Sequence, residues 1–101
     1  MKEVTVIEFE NLKTKGDKIL LELYADWCGP CQKLLPKIET IGKSYPNIHF
    51  LKMNVDKNLE FCNNNNIKAV PTILIFDGLR LVNRTTGIKP DDDYINILNN
   101  L

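Results

Sequence analysis

The 101-residue sequence lacks the features that mark several large classes of protein. Its 13 basic and 13 acidic residues balance, and no basic block stands out, so neither nucleic-acid binding nor attraction to a membrane surface has electrostatic support. No apolar run approaches the roughly 20 residues that a membrane-spanning helix needs. The N-terminus has no signal-peptide core. We therefore expect a cytoplasmic protein that binds neither nucleic acid nor membranes.

Cysteine and histidine are also scarce, with three cysteines and one histidine in the chain. An odd number of cysteines argues against a framework of structural disulfides. Half of a zinc site is the alternative for the closely spaced pair Cys28 and Cys31, but such a site usually needs four ligands in two pairs. Only Cys62 and His49 remain, and they do not have pair spacing. The sequence favours redox chemistry over metal binding, and we expect no metal or other cofactor.

Hydrophobic patterning predicts one α/β domain over residues 1–101, in which strands alternate with helices around a mixed sheet. A nearly continuous apolar run, Ile19–Tyr24, is typical of a buried parallel strand. The dipeptide Asp77-Gly78 between two apolar runs predicts a two-residue turn with positive φ at both residues. The predicted strands are Val4–Ile7, Ile19–Tyr24, Ile48–Val55, Thr72–Phe76 and Leu79–Val82, and the predicted helices are Glu8–Lys15, one from the cysteine pair to about Tyr45, Asn58–Asn64 and one opened by Pro90.

The most informative stretch is Trp-Cys-Gly-Pro-Cys at residues 27–31, directly after the predicted buried strand. Apolar residues at helical spacing follow it, so the stretch lies where a strand ends and a helix begins. Cys28 then occupies the helix N-terminus, where unpaired N–H groups and the helix dipole stabilise a thiolate. A thiolate is the attacking form in disulfide exchange. These observations predict that Cys28 is the nucleophile and that Cys31, one turn inside the helix, resolves the mixed disulfide.

This stretch and several others resemble the thioredoxin family, and the resemblance extends over roughly residues 3–100. It implies a central mixed five-stranded sheet flanked by four helices, with a cis peptide bond before Pro71. Glutamate at Glu22 replaces the family's usual aspartate, and Tyr24 stands where tryptophan is common. The further matches, each at the family's spacing, are Glu22, Pro36, Lys52, Asn54, Asp56, Val70-Pro71-Thr72 and Gly87.

The resemblance also implies roles for residues around the cysteines. Glu22 would be a buried acid that accepts the proton of Cys31, and Lys52 would support it electrostatically. An acid within an apolar strand should have a raised pKa, although an outward-facing charge on an edge strand is the alternative from sequence alone. The residues that would form a flat, largely apolar patch for docking substrates are Trp27, Gly29, Pro30, Val70, Pro71, Gly87 and Ile88.

The function that the resemblance implies is general reduction of protein disulfides by dithiol-disulfide exchange through Cys28 and Cys31. The implied partners are disulfide-containing target proteins and a separate thioredoxin reductase, because the chain has no nucleotide fingerprint. We expect a monomer. The rival interpretations are an oxidase or isomerase, which normally has histidine between the cysteines, and a non-catalytic binding module. Cys62 is predicted to be a small buried hydrophobe, with a regulatory thiol as the alternative.

Overall fold

The computed structural model describes residues 1–101 and contains five strands, four α-helices and one short 3₁₀ helix. None of the helices combines the length and the apolar character needed to cross a membrane. The strands are β1 (Lys2–Glu3), β2 (Lys18–Tyr24), β3 (Ile48–Asn54), β4 (Thr72–Asp77) and β5 (Arg80–Thr86), and the helices are α1 (Val6–Thr14), α2 (Gly29–Gly42), the 3₁₀ helix Val55–Lys57, α3 (Leu59–Asn64) and α4 (Asp91–Asn99).

All five strands form one mixed sheet in the order β1-β3-β2-β4-β5. The pairs β1·β3 and β2·β3 are parallel, whereas β4 runs antiparallel to both β2 and β5. The central strand β2 therefore has neighbours on both sides and helices on both faces of the sheet. This architecture confirms the predicted α/β fold, with a mixed five-stranded sheet and four helices.

Side chains of β2 alternate between two hydrophobic cores, one on each face of the sheet. Leu21 and Leu23 belong to the core that contains Phe9 of α1 and Phe61 of α3. Leu20 belongs to the other core, which is formed with α2 and α4. Because both faces are covered, every residue from Ile19 to Tyr24 is buried, and the sequence has no polar alternation there. Glu22 shares its face with Leu20 and therefore points to the side of α2 and α4.

The predicted strand over Val4–Ile7 is wrong. The first strand is Lys2–Glu3, and α1 already begins at Val6. Thr5 caps this helix: its hydroxyl accepts the Glu8 N–H at 3.1 Å, while the Glu8 carboxylate accepts the Thr5 N–H at 2.9 Å. This capping box outweighs the strand propensity of the β-branched residues around it. The spacing Thr-x-x-Glu was the signal in the sequence.

The hairpin is present, but its turn lies one residue later than predicted. Asp77 is the last residue of β4 and pairs with Arg80, so the two loop residues are Gly78 and Leu79. Within this hairpin only Gly78 has a positive φ, which is +60°. Glycine at the first loop position is the pattern of a type II′ turn, in which the second residue has an ordinary conformation. The prediction of positive φ at Asp77 is therefore wrong.

Replacing Gly78 with valine is expected to destabilise the protein for two reasons. A β-branched residue is strained at this φ, and an added Cβ would lie 3.1 Å from the Gly16 Cα atom. We expect a loss of roughly 1–3 kcal/mol in the free energy of unfolding, measured by urea denaturation. Leu79→Val is the matched control, because Leu79 is exposed and has no positive φ. Equal stability of the two variants would contradict this description of the turn.

Candidate active site

The cysteine pair lies at the N-terminus of α2, as the sequence predicts. Cys28 is the N-cap residue, and the two cysteines form a disulfide with their Cα atoms 5.3 Å apart. The backbone N–H of Cys31 points at the Cys28 Sγ atom, 3.2 Å away. Pro30 lies in the first turn, where its missing N–H leaves no hydrogen bond unmade. A negative charge on the Cys28 sulfur is thus stabilised by the start of the helix.

Burial distinguishes the two sulfur-bearing residues. Cys28 is 5% exposed, whereas Cys31 is completely buried. Exposed residues, Gly29 and Pro30, adjoin Cys28 in the sequence. A disulfide substrate approaching from solvent therefore meets Cys28 first.

Glu22 is fully buried in the central strand, so the alternative of an outward-facing charge on an edge strand is wrong. Neither of its carboxyl oxygens has a hydrogen-bond partner in the protein. Burial raises the pKa of Glu22 to about 8, and the positive charge of Lys52 offsets part of that rise. A carboxyl group with this pKa exchanges protons near neutral pH.

Lys52 is paired in register with Glu22 across β2 and β3, but the two side chains do not form an ion pair. The Lys52 ammonium lies over the ring of Tyr24 instead, 5.6 Å from its centroid. Lys52 thus acts on Glu22 through its field and not through a hydrogen bond.

Tyr24 connects the cysteine pair with the first strand. Its ring packs in a small core with Ala25, Cys28 and Cys31. Its hydroxyl donates a hydrogen bond of 2.5 Å to the Glu3 carboxylate. Burial, together with this bond, raises the pKa of Tyr24 to about 12, so the hydroxyl stays protonated and remains a donor. Nothing in the sequence pattern indicated a role for Glu3.

Trp27 is held at the surface beside Cys28. Its side chain is 70% exposed, and its indole N–H donates to the Asp56 carboxylate at 2.8 Å. The backbone N–H of Asp56 in turn donates to the side-chain oxygen of Asn54 at 2.9 Å. The sequence marks Asp56 only as a match to the family pattern, and the structure adds its contact with Trp27.

The remaining residues of the expected docking patch lie on two loops that a hydrogen bond joins. The Val70-Pro71 peptide bond is cis, as the resemblance implies. The N–H of Gly87 donates to the Pro71 carbonyl at 2.8 Å, which places Ile88 beside that loop with an exposed side chain. Val70 packs against the small core that contains both cysteines. The structure therefore brings both loops to the cysteine pair.

A shallow apolar groove runs beside Trp27, between it and α3. Cys62 lines this groove but is itself buried, as predicted, and burial raises the pKa of its thiol. No group of three or more side chains of the types that ligate metals is found in the structure. The groove is lined by Trp27, Val55, Leu59, Cys62, Asn63, Ile67, Lys68, Ala69 and Val70.

Comparison with known proteins agrees with this geometry. The sequence profile of the thioredoxin family matches residues 1–100. Thioredoxin-1 of Saccharomyces cerevisiae is 33% identical over 86 residues, which cover 85% of the chain and 84% of the yeast protein. The mitochondrial thioredoxin-3 of the same yeast is 30% identical over 89 residues, covering 88% of the chain and 70% of that protein.

Solved structures show the same likeness in three dimensions. The X-ray structure of Fasciola hepatica thioredoxin superposes with a TM-score of 0.86 at 29% identity, and the alignment covers 98% of each chain. Sequence and structure therefore agree along the whole chain. The protein belongs to the thioredoxin family, whose members are oxidoreductases that act on disulfides, and its Cys28–Cys31 pair carries out dithiol-disulfide exchange.

Proposed function

We propose that the chain is a general reductant of protein disulfides in which Cys28 attacks and Cys31 resolves. The Cys28 thiolate attacks one sulfur of a target disulfide, and the other target sulfur leaves as a thiolate. The Cys31 thiolate then attacks the Cys28 Sγ atom, which releases the second target sulfur and closes the Cys28–Cys31 disulfide. Two electrons pass from the chain to the target. The observation that supports this order is the greater accessibility of Cys28 at the helix N-terminus.

Glu22 is the proposed proton acceptor for the second step. Cys31 must lose its proton before it attacks, and its full burial disfavours a free thiolate. Glu22 points to the face of the sheet that α2 covers, and no protein group forms a hydrogen bond with its carboxyl oxygens. With a pKa of about 8, it takes up a proton near neutral pH and later returns it to solvent. Lys52 is the proposed electrostatic support, because its charge keeps the Glu22 pKa from rising further.

Substrates are proposed to dock as extended chains beside the cysteines. Neither the N–H nor the carbonyl of Val70 makes a hydrogen bond within the chain, so both can pair with a substrate backbone, as in strand addition. Backbone pairing does not select a side-chain sequence, which fits a general reductant. The proposed flanking surface carries no charged side chain and consists of Trp27, Gly29, Pro30, Pro71, Gly87 and Ile88.

The proposed partners are target proteins and a thioredoxin reductase that returns electrons to the oxidised chain. We further propose that residues 1–101 form a single domain that works as a monomeric electron carrier in the cytoplasm. A reductant needs a compartment in which thiols are kept reduced, which supports this location. Because one similar protein is mitochondrial, cell fractionation is the deciding measurement, and a pool confined to mitochondria would contradict the proposal.

Cys31→Ser is expected to trap targets as mixed disulfides, because the first step still occurs and the second cannot. Cys28→Ser is the matched control and should trap none. The measurement is non-reducing electrophoresis and mass spectrometry of proteins linked to each variant, with release by dithiothreitol. Trapping by Cys28→Ser alone would reverse the two roles.

Glu22→Gln is expected to slow resolution of the mixed disulfide about 10- to 100-fold while leaving its formation near the wild-type rate. Glutamine is nearly isosteric with glutamate but cannot accept the proton. Stopped-flow measurements of the two steps would separate the effects, with Glu60→Gln, a change at an exposed glutamate on α3, as the control. Wild-type rates of both steps between about pH 6 and pH 9 would exclude Glu22 as the acceptor.

The same substitution should change how stability depends on pH. The folded-state pKa of Glu22, about 8, lies above the ordinary value of 4.5, so the folded state binds more protons between these values. The free energy of unfolding should therefore fall as pH rises from about 4.5 to about 8 and then level off. Glu22→Gln removes this slope, so the oxidised variant should exceed wild type by a few kcal/mol, to order of magnitude, at about pH 9. Urea denaturation across this pH range measures the difference. If the free energies of unfolding of the two proteins changed in parallel with pH, the expectation would be contradicted.

A further inference from the structure

One row of side chains crosses the sheet on the side of α2 and places three ionisable residues next to one another. Glu3 of β1 pairs in register with Lys52 of β3, and Lys52 pairs with Glu22 of β2. Neighbouring strands lie about 4.8 Å apart, so Lys52 stands between two carboxyl groups. One belongs to an exposed residue and the other is fully buried. The position of the Lys52 ammonium between them decides how strongly its charge acts on Glu22.

Glu3 does not use its carboxylate to bind Lys52. One oxygen accepts the Tyr24 hydroxyl at 2.5 Å, and the other accepts the backbone N–H of Asn54 at 3.2 Å. Both donors belong to buried residues, and Tyr24 packs against the two cysteines. Hydrogen bonds to a carboxylate are stronger than those between neutral groups. A residue on a two-residue edge strand is thereby tied to the wall of the redox site.

The Lys52 ammonium is ion-paired with neither neighbour and lies over the Tyr24 ring. Tyr24 therefore acts on Lys52 in two ways. Its hydroxyl donates a hydrogen bond to the Glu3 carboxylate and so competes with the Lys52 ammonium for that carboxylate. Its ring face provides a weaker site of attraction for the ammonium.

We propose that Glu3 is a positioning residue for the redox site: its hydrogen bond to the Tyr24 hydroxyl fixes where the Lys52 ammonium lies, and thereby how readily Glu22 takes up a proton. This inference rests on the proposed role of Glu22 as the acceptor of the Cys31 proton. Tyr24 departs from the tryptophan common in the family pattern, so the arrangement depends on a residue at which this chain differs from that pattern.

Two nearly isosteric substitutions are expected to shift the pKa of Glu22 in opposite directions. Glu3→Gln keeps an oxygen that accepts the Tyr24 hydroxyl, although its amide nitrogen cannot accept the Asn54 N–H. It removes the negative charge that competes with Glu22 for Lys52, so the field of Lys52 favours the ionised form of Glu22 more strongly. Tyr24→Phe keeps the ring but frees one oxygen of the Glu3 carboxylate, while the other still accepts the Asn54 N–H. The freed oxygen then draws Lys52 away and favours protonated Glu22. If the hydrogen bond between Tyr24 and Glu3 had only a structural role, there would be no reason for the two variants to shift the Glu22 pKa in opposite directions.

Other ionisable groups near Glu22 stay the same in both variants, so a shift can be assigned to the Glu3–Tyr24–Lys52 group. Tyr94 of α4 is buried within reach of the charge of Glu22. Lys37 of α2 is paired with Asp91 at 3.2 Å, and Glu39 of α2 is bound by the N-terminal ammonium. Cys31, also on α2, does not titrate while the disulfide is closed.

The experiment is a titration of the Glu22 carboxyl carbon by ¹³C NMR in the oxidised full-length protein, with the signal assigned by its absence in Glu22→Gln. Relative to wild type, the midpoint should fall by about half a pH unit in Glu3→Gln and rise by about half a unit in Tyr24→Phe. Glu60→Gln, which removes an exposed carboxylate on α3, is the matched control and should not move the midpoint.

An unmoved midpoint in Glu3→Gln, or shifts of the same sign in both variants, would overturn the proposal. The titration does not depend on turnover, so it can be read separately from the proposed function. If Glu22→Gln resolves mixed disulfides at the wild-type rate, the proposed role of Glu22 fails. Opposite shifts in the two variants would then still establish that Glu3 positions Lys52.

Discussion

The hydrogen bond from the Cys31 N–H to the Cys28 sulfur, at the start of α2, is the interaction that the rest of the structure holds in place. The N–H of Cys31 and the helix dipole stabilise negative charge only if the helix begins at this residue. That condition requires β2 to end at Tyr24 and requires α2 to be held firmly against the sheet. The apolar stripe of α2 and the continuous burial of β2 provide both constraints. The core between β2 and α2 therefore supports the position of one sulfur atom.

The burial of Glu22 opposes stability but serves the site. An ionised carboxylate inside a core is unfavourable, and no protein hydrogen bond compensates it here. The same desolvation raises the Glu22 pKa to about 8, whereas an exposed glutamate would be ionised at neutral pH and would be a poor proton acceptor. Glu22 is the only buried acidic residue in the structure, and it lies on the face of the sheet that α2 covers. Glu22 thus fits the common observation that locally unfavourable residues occur at functional sites.

Much of the fold and site could be predicted because their signals are local. The apolar run of β2, the helical spacing after the cysteines and the proline in the first turn each act over a few residues, so the location of Cys28 followed directly. The capping box at Thr5 is equally local and determines where α1 begins, but the strand propensity of the neighbouring β-branched residues masks it in the sequence. The contact between Glu3 and Tyr24 was beyond prediction. It joins residues 21 positions apart, and an exposed acid on a two-residue strand has no distinguishing pattern.

The departures at Glu22 and Tyr24 are connected through Lys52. Glutamate is longer than aspartate, and no ion pair ties its carboxyl group to Lys52. Tyrosine supplies a hydroxyl that binds Glu3 and a ring face over which the Lys52 ammonium lies. Neither departure changes a charge, and in their presence Lys52 lies between two carboxyl groups without forming an ion pair with either. The short first strand, which adds little to the core, therefore belongs to the electrostatic environment of the redox site.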